Sequence, residues 1–207
     1  MLKPRYAIML DGGFVLKKLE TALKRQPTAQ DVIQECEKIR NHPALADYEL
    51  LRVYFYHAPP CTDSLINPIS KSPINFATTA TCSRMKSLLD SLELSPDFAL
   101  RLGETTAQGW RLGSAALKDI EKNGARTLKA NDLEPDIKQK GVDLRIGLDM
   151  ARLTLKEIVR VIVVATADAD MVPAFKFARR EGIRVYLYGM GHSRTRRDLK
   201  AHTDLMI

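Results

Sequence analysis

The sequence predicts a doubly wound α/β fold, with a mostly parallel sheet of about five strands and helices on both faces. Three observations carry this. Five short apolar runs recur along the 207 residues, several nearly continuous in branched or aromatic side chains. Strands covered on both faces need that composition. Stretches of helical period separate the runs. The last link, Val163–Tyr188, reads strand–helix–strand, and alternation of this kind belongs to parallel sheets with crossover helices.

Taken in order, Tyr6–Leu10 (YAIML) is the first strand, and Asp11-Gly12-Gly13 follows it. Helical patterns cover Phe14–Arg25 and Ala29–Asn41. Leu50–Tyr56 (LLRVYFY) is the second strand, which places Tyr56 and His57 near the expected rim of the sheet. Thr78–Leu92 is helical, and Phe98–Leu102 (FALRL) is the third strand. The helix Val142–Leu155 precedes the fourth strand, Val159–Thr166 (VRVIVVAT). Met171–Glu181 links it to the fifth, Ile183–Tyr188 (IRVYLY), and stops at Gly182, a residue suited to a helix end.

Two stretches interrupt the pattern. Residues near 58–77 carry Pro59, Pro60, Pro68 and Pro73 among Ser and Asn, and read as a long loop. Residues near 103–134 form a basic insertion around the only tryptophan, Trp110, with Arg111, Lys118, Lys122, Arg126 and Lys129. No repeat, low-complexity tract or linker divides the chain, so residues 1–207 read as a single domain.

A hydrophobic content of 45% supports a sizeable core. No window approaches the roughly 20 apolar residues that span a bilayer, and the apolar run of MLKPRYAIMLDGG is too short for a signal peptide. The expected location is the cytoplasm. Cys36, Cys61 and Cys82 show no CxxC spacing, which favours reduced thiols over disulfides or zinc. The net charge of +7 favours polyanionic partners.

The acidic residues stand where such a fold binds ligands. If the chain winds from strand one through two and three, then returns to place four beside one, the order reverses between strands one and four. Ligands bind outside the carboxyl ends of strands at that point. Asp11 leaves the first strand there. Asp168 and Asp170 leave the fourth, and residues i and i+2 of an extended stretch point to one side. Asp143 opens a helix just after Gly141. Asp149, six residues further on, lies about 240° round that helix, so it is expected to orient a neighbour.

Four converging carboxylates repel one another, and a divalent cation removes the conflict. Hard oxygen ligands without His or Cys favour Mg2+ or Mn2+ over zinc. Such an ion can hold a phosphodiester and lower the pKa of a water. Each carboxylate also has a structural reading of its own. Asp170 stands where an N-cap belongs, before Met171-Val172-Pro173, whereas Asp168 has no evident capping duty. Asp11-Gly12-Gly13 suits a turn, and Asp143 suits a first helical turn. Lys140 can contact phosphate or be solvated. Arg194, Arg196, Arg197 and Lys200 form a basic cluster that can follow a nucleic-acid backbone or cover a surface helix. The four histidines lack metal-ligand spacing, and GMGH lacks the rest of a dinucleotide-binding turn.

The strand-DGG-F start, KGVDLRIGLDM and VVATADADMVPAFKFARREGIRVYLYG resemble the NYN domain, the LabA-like branch of the PIN-like nuclease superfamily. LRVYFYHAPP and DLKAHTDLMI also fit. The resemblance implies a PIN-like, Rossmannoid α/β/α fold and a metal-dependent endonuclease, a hydrolase acting on RNA, with Mg2+ or Mn2+ as cofactor. It places catalytic and metal-holding roles on Asp11, Asp143, Asp168 and Asp170. Asp149 matches a recurrent acidic position, and Thr166 matches a hydroxyl residue that helps hold metal or phosphate. The implied partner is single-stranded RNA, and a homodimer is compatible with it.

The sequence departs from the family where many members carry an Asn after the first Asp; here Gly13-Phe14-Val15 stands. Ala167 and Ala169 replace flanking glycines. The missing amide supports a rival expectation, a nucleic-acid- or protein-binding module with a decayed site. A Toprim-type site expects Glu where Asp11 stands, and a haloacid-dehalogenase-type site expects DxDxT on the first strand, so both fit less well.

Overall fold

The computed structural model describes residues 2–191 and 195–207. In chain order the strands are β1 (Arg5–Asp11), β2 (Glu49–His57), β3 (Ser64–Ile66), β4 (Pro73–Asn75), β5 (Phe98–Leu102), β6 (Glu104–Leu112), β7 (Leu133–Lys140), β8 (Val161–Ala165), β9 (Arg184–Leu187) and β10 (Leu205–Met206). The helices are α1 (Gly12–Leu23), α2 (Ala29–Arg40), α3 (Ala80–Glu93), α4 (Ser114–Asn123), α5 (Val142–Leu155), α6 (Val172–Arg180) and α7 (Arg197–Ala201). A 3-10 turn, Ala169–Met171, precedes α6. Among the described residues no helix is long and apolar enough to cross a membrane.

The chain divides into two compact units. The first comprises Met1–His57, Leu88–Gly103 and Gly141–Ile207. It holds a six-stranded sheet in the order β10-β9-β8-β1-β2-β5, parallel throughout. The five expected strands are present, and β8 lies beside β1 as the expected order requires. The sixth strand, β10, has only two residues, too few to leave a periodic pattern.

The central strands are apolar on both faces because both are covered. All five residues of β8 are buried. On one face Ala7, Met9, Ile162 and Val164 join Ile146, Met150 and Leu153 of α5 and Phe175 and Ala178 of α6 in one core. Alternation along β1 turns Ile8 and Leu10 the other way, and both are buried. There α1 packs on β1 and β2, with α2 against α1. Each fully buried aliphatic side chain contributes about 1.5–3 kcal/mol. Cys36 of α2 belongs to this interior, and burial pushes its thiol up to about 12, which leaves it protonated and inert at neutral pH.

The second unit comprises Ala58–Ser87 and Glu104–Lys140. The stretch near 58–77 is more than a loop, since β3 and β4 pair in an antiparallel hairpin. The insertion near 103–134 supplies β6, α4 and the start of β7, and β6 pairs antiparallel with β7. The two interruptions of the sequence pattern are tied to each other. The Trp110 indole N–H donates to the Ile66 carbonyl at 2.9 Å. The Thr105 hydroxyl donates to the Pro59 carbonyl at 2.6 Å, and the Ala107 N–H donates to the Asp63 carboxylate at 2.9 Å. Every residue of β6 retains some exposure, so no apolar run announces the strand.

Candidate functional site

β1 and β8 run parallel, with Leu10 opposite Ala165. The strand order turns back between them, and both chains leave the sheet at the same edge. Asp11 is the last residue of β1 and the N-cap of α1. Its Oδ1 accepts the Phe14 N–H at 3.2 Å. Thr166 follows β8 and is buried. Its hydroxyl donates to Asp11 Oδ2 at 3.0 Å and accepts the Asp168 N–H at 3.1 Å. One side chain thus fastens the exit of β8 to the exit of β1.

The expected cap assignment is reversed. Asp168, not Asp170, is the capping residue: its Oδ1 accepts the Asp170 N–H at 2.9 Å. The reason is the 3-10 turn that intervenes before α6. An Asp side chain readily bonds the backbone two residues on, so the first of the two aspartates takes that role. Asp170 lies within the turn and is exposed.

Gly141, at φ +76°, adopts the left-handed conformation that turns β7 into α5, and Asp143 lies in the first turn of that helix. A helix N-terminus ordinarily favours the charged carboxylate. Here the carboxyl, though at the surface, is held above its ordinary range, first by partial burial and then by the negative charges of Asp168, Asp11 and Asp170. The four carboxylates therefore share one electrostatic field.

Among the described residues, no group of three or more His, Cys, Asp or Glu side chains is closed around a point where it could hold a metal ion. Asp11 and Asp168 already accept hydrogen bonds from Thr166 and backbone N–H groups. The fit to a divalent cation is thus one of donor chemistry and charge: carboxylate oxygens, a hydroxyl, and negative charge at Asp143. The side chains would have to turn toward a common point to complete it.

Asp149 is buried, and both its oxygens are engaged. Arg101 Nε donates to Oδ2 at 2.7 Å and Arg101 Nη2 to Oδ1 at 2.5 Å. The Tyr56 hydroxyl donates to Oδ2 at 3.1 Å. The bonds join α5 to β2 and β5. Tyr56 and His57 are buried rather than on a rim, and burial, then the Asp149 charge, raises the Tyr56 phenol. Sequence reasoning missed Arg101. Its signal is the lone cation within the otherwise apolar strand FALRL.

Lys140 ends β7, opposite Glu104, within the second unit. Arg196, Arg197 and Lys200 are exposed at α7. That helix is anchored by buried Leu199 and neighbours the turn bearing Asp170. Arg194 lies outside the described residues.

Gly12 allows the site's backbone to approach β2. A Cβ there would lie 2.6 Å from the Tyr56 carbonyl oxygen and 2.8 Å from both His57 Cδ2 and Phe55 Cζ. Gly12→Ala is therefore expected to destabilise the fold by about 1–3 kcal/mol, lowering the thermal midpoint by roughly 2–12 °C. At Gly13 a Cβ meets only Asp11 Oδ1, at 3.4 Å, so Gly13→Ala serves as the control in the same thermal melt. Equal midpoints for the two variants would refute the steric account.

The NYN domain family matches residues 104–207, a span that includes Asp143, Asp168 and Asp170 but not Asp11. A crystal structure of a protein of unknown function from Vibrio parahaemolyticus RIMD 2210633 is similar, with TM-score 0.55 and 15% identity, covering 99% of this chain and 92% of that one. At that identity the likeness shows the fold alone. The structure of Phytolacca americana UGT2 complexed with UDP-2-fluoro-glucose and pterostilbene matches with TM-score 0.33 and 12% identity, over 91% of this chain and 31% of that one. Comparison with curated proteins yields no match.

Proposed function

Because this chain belongs to the NYN-domain family, a PIN-like nuclease family, we propose that it is a metal-dependent endoribonuclease of the LabA-like branch. The observation that carries the reading is the raised carboxyl of Asp143 in the field of Asp11, Asp168 and Asp170. Those four residues would hold Mg2+ or Mn2+. When bound, such an ion supplies Lewis-acid polarisation of the phosphodiester and a lowered pKa for water.

The chain's own residues contribute placement. The Thr166 hydroxyl fixes one oxygen of Asp11. The cap on the Asp170 N–H sets the rotamer of Asp168. Asp149, held by Arg101 and Tyr56, sets the rotation of α5 and with it the direction of Asp143. Arg194, Arg196, Arg197 and Lys200 provide positive charge for the phosphate backbone of single-stranded RNA, and Lys140, in the second unit, is a separate candidate for a phosphate contact. Water oxygen adds to phosphorus as the P–O3′ bond breaks, leaving a 5′-phosphate and a 3′-hydroxyl that takes up a proton. Three buried free cysteines suit a reducing cytoplasm.

A second reading is a binding module with a decayed site. It draws on the unclosed carboxylate geometry and on Gly13-Phe14-Val15 in place of an amide. Purified protein incubated with labelled single-stranded RNA, duplex RNA and single-stranded DNA separates the two. Cleavage of single-stranded RNA with Mn2+, abolished by EDTA and leaving 5′-phosphate ends, is the expected result. RNA retention that EDTA does not alter, with no cleavage, would establish the module.

A further inference from the structure

α5 buries one face and leaves another uncovered. Ile146, Met150 and Leu153 enter the core, while Leu144, Leu148 and Leu155 are 67%, 61% and 64% exposed. At 100° per residue these three leucines and half-buried Ala151 fall within about 60° of one another, forming a stripe roughly 17 Å long. A single exposed leucine is unremarkable in a folded protein. Three aligned at helical spacing form the surface that an amphipathic helix covers.

Charge specifies the cover. Arg145, Arg152 and Lys156 are all exposed and lie together along one edge of the stripe, roughly a quarter turn from it. No hydrogen bond or ion pair among the described residues engages their side chains. The opposite edge carries Asp143, Gly147 and Thr154, with no cation. A second copy of α5 laid antiparallel across a two-fold axis would set basic edge against basic edge. A phosphate backbone would satisfy the cations and leave the leucines in water.

We propose that this face of α5 docks an acidic amphipathic helix of another protein. Its apolar stripe covers Leu144, Leu148, Ala151 and Leu155, and its carboxylates pair with Arg145, Arg152 and Lys156. The proposal does not rest on nuclease activity.

The test uses the full chain and two fluorescent helical peptides with the same leucine stripe, one flanked by Glu and the other by Lys. Fluorescence anisotropy is expected to show micromolar binding of the Glu peptide alone, weakening as salt rises. Leu144→Gln combined with Leu148→Gln should weaken binding by about tenfold or more, and Arg145→Glu with Arg152→Glu should transfer preference to the Lys peptide. These positions are exposed, and circular dichroism checks that the fold is kept. Failure of both peptides to bind, or equal binding of both, overturns the proposal. So does a sedimentation-detected dimer that Leu148→Gln dissolves, or RNA binding lost in the Arg145/Arg152 variant while neither peptide binds the parent chain.

Discussion

Asp168→Asn is expected to lower Mn2+-dependent RNA cleavage by about 100-fold or more while leaving the fold intact. The magnitude follows from the charge removed. A cation site at a phosphodiester contributes several kcal/mol of transition-state stabilisation, and each 1.36 kcal/mol is about tenfold in rate. The fold is spared because Asn keeps the oxygen that accepts the Asp170 N–H, and the Thr166 contact uses the backbone of residue 168 rather than its side chain. Asp168→Ala removes the cap as well, at about 1 kcal/mol of stability. Cleavage kinetics and thermal melts of both variants distinguish the two roles. Undiminished cleavage by Asp168→Asn would remove Asp168 from the site.

Arg101→Ala is expected to cost about 2–3 kcal/mol of stability. Truncating one partner of a buried ion pair costs about 3–5 kcal/mol, because the other charge stays behind without its counter-ion. The Asp149 side chain is 10% exposed, but that of Arg101 is 38% exposed, so water offsets part of the loss. The Tyr56 hydroxyl then remains as a single donor to a buried carboxylate. Adding Asp149→Asn removes the stranded charge and should restore part of the stability, which urea denaturation of the two single variants and the double variant measures. A loss below about 0.5 kcal/mol for Arg101→Ala would place the pair with ordinary surface ion pairs.

The sheet was legible in the sequence because β8, most of β1 and the later parts of β2 and β9 are buried, and burial on both faces leaves nearly unbroken apolar runs. The placement of Asp11, Asp143, Asp168 and Asp170 was legible for a topological reason. Strand exits and a helix start can be read locally, and the doubly wound order carries them to one edge. The side-chain contacts there were not legible. Asp168 and Asp170 are the same residue type, and only the 3-10 turn decides which one caps. Arg101 and Asp149 stand 48 positions apart, so a lone arginine in FALRL does not identify its partner. The second unit left little periodicity because β6 is part-exposed along its whole length and the β3–β4 hairpin has strands of only three residues.

The pairing of β1 with β8 has a consequence for biosynthesis. β1 is central in the sheet, yet it is made well before its neighbour β8, which begins at Val161. A chain emerging from the ribosome carries Asp11 long before Thr166, Asp168 or Asp170 exists, and long-range parallel pairing is slow even after both strands are present. On the proposed reading, the acidic site stays incomplete until the chain 155 positions beyond Asp11 has been made. On that reading the nascent chain cannot cut RNA before Asp168 and Asp170 have left the ribosome.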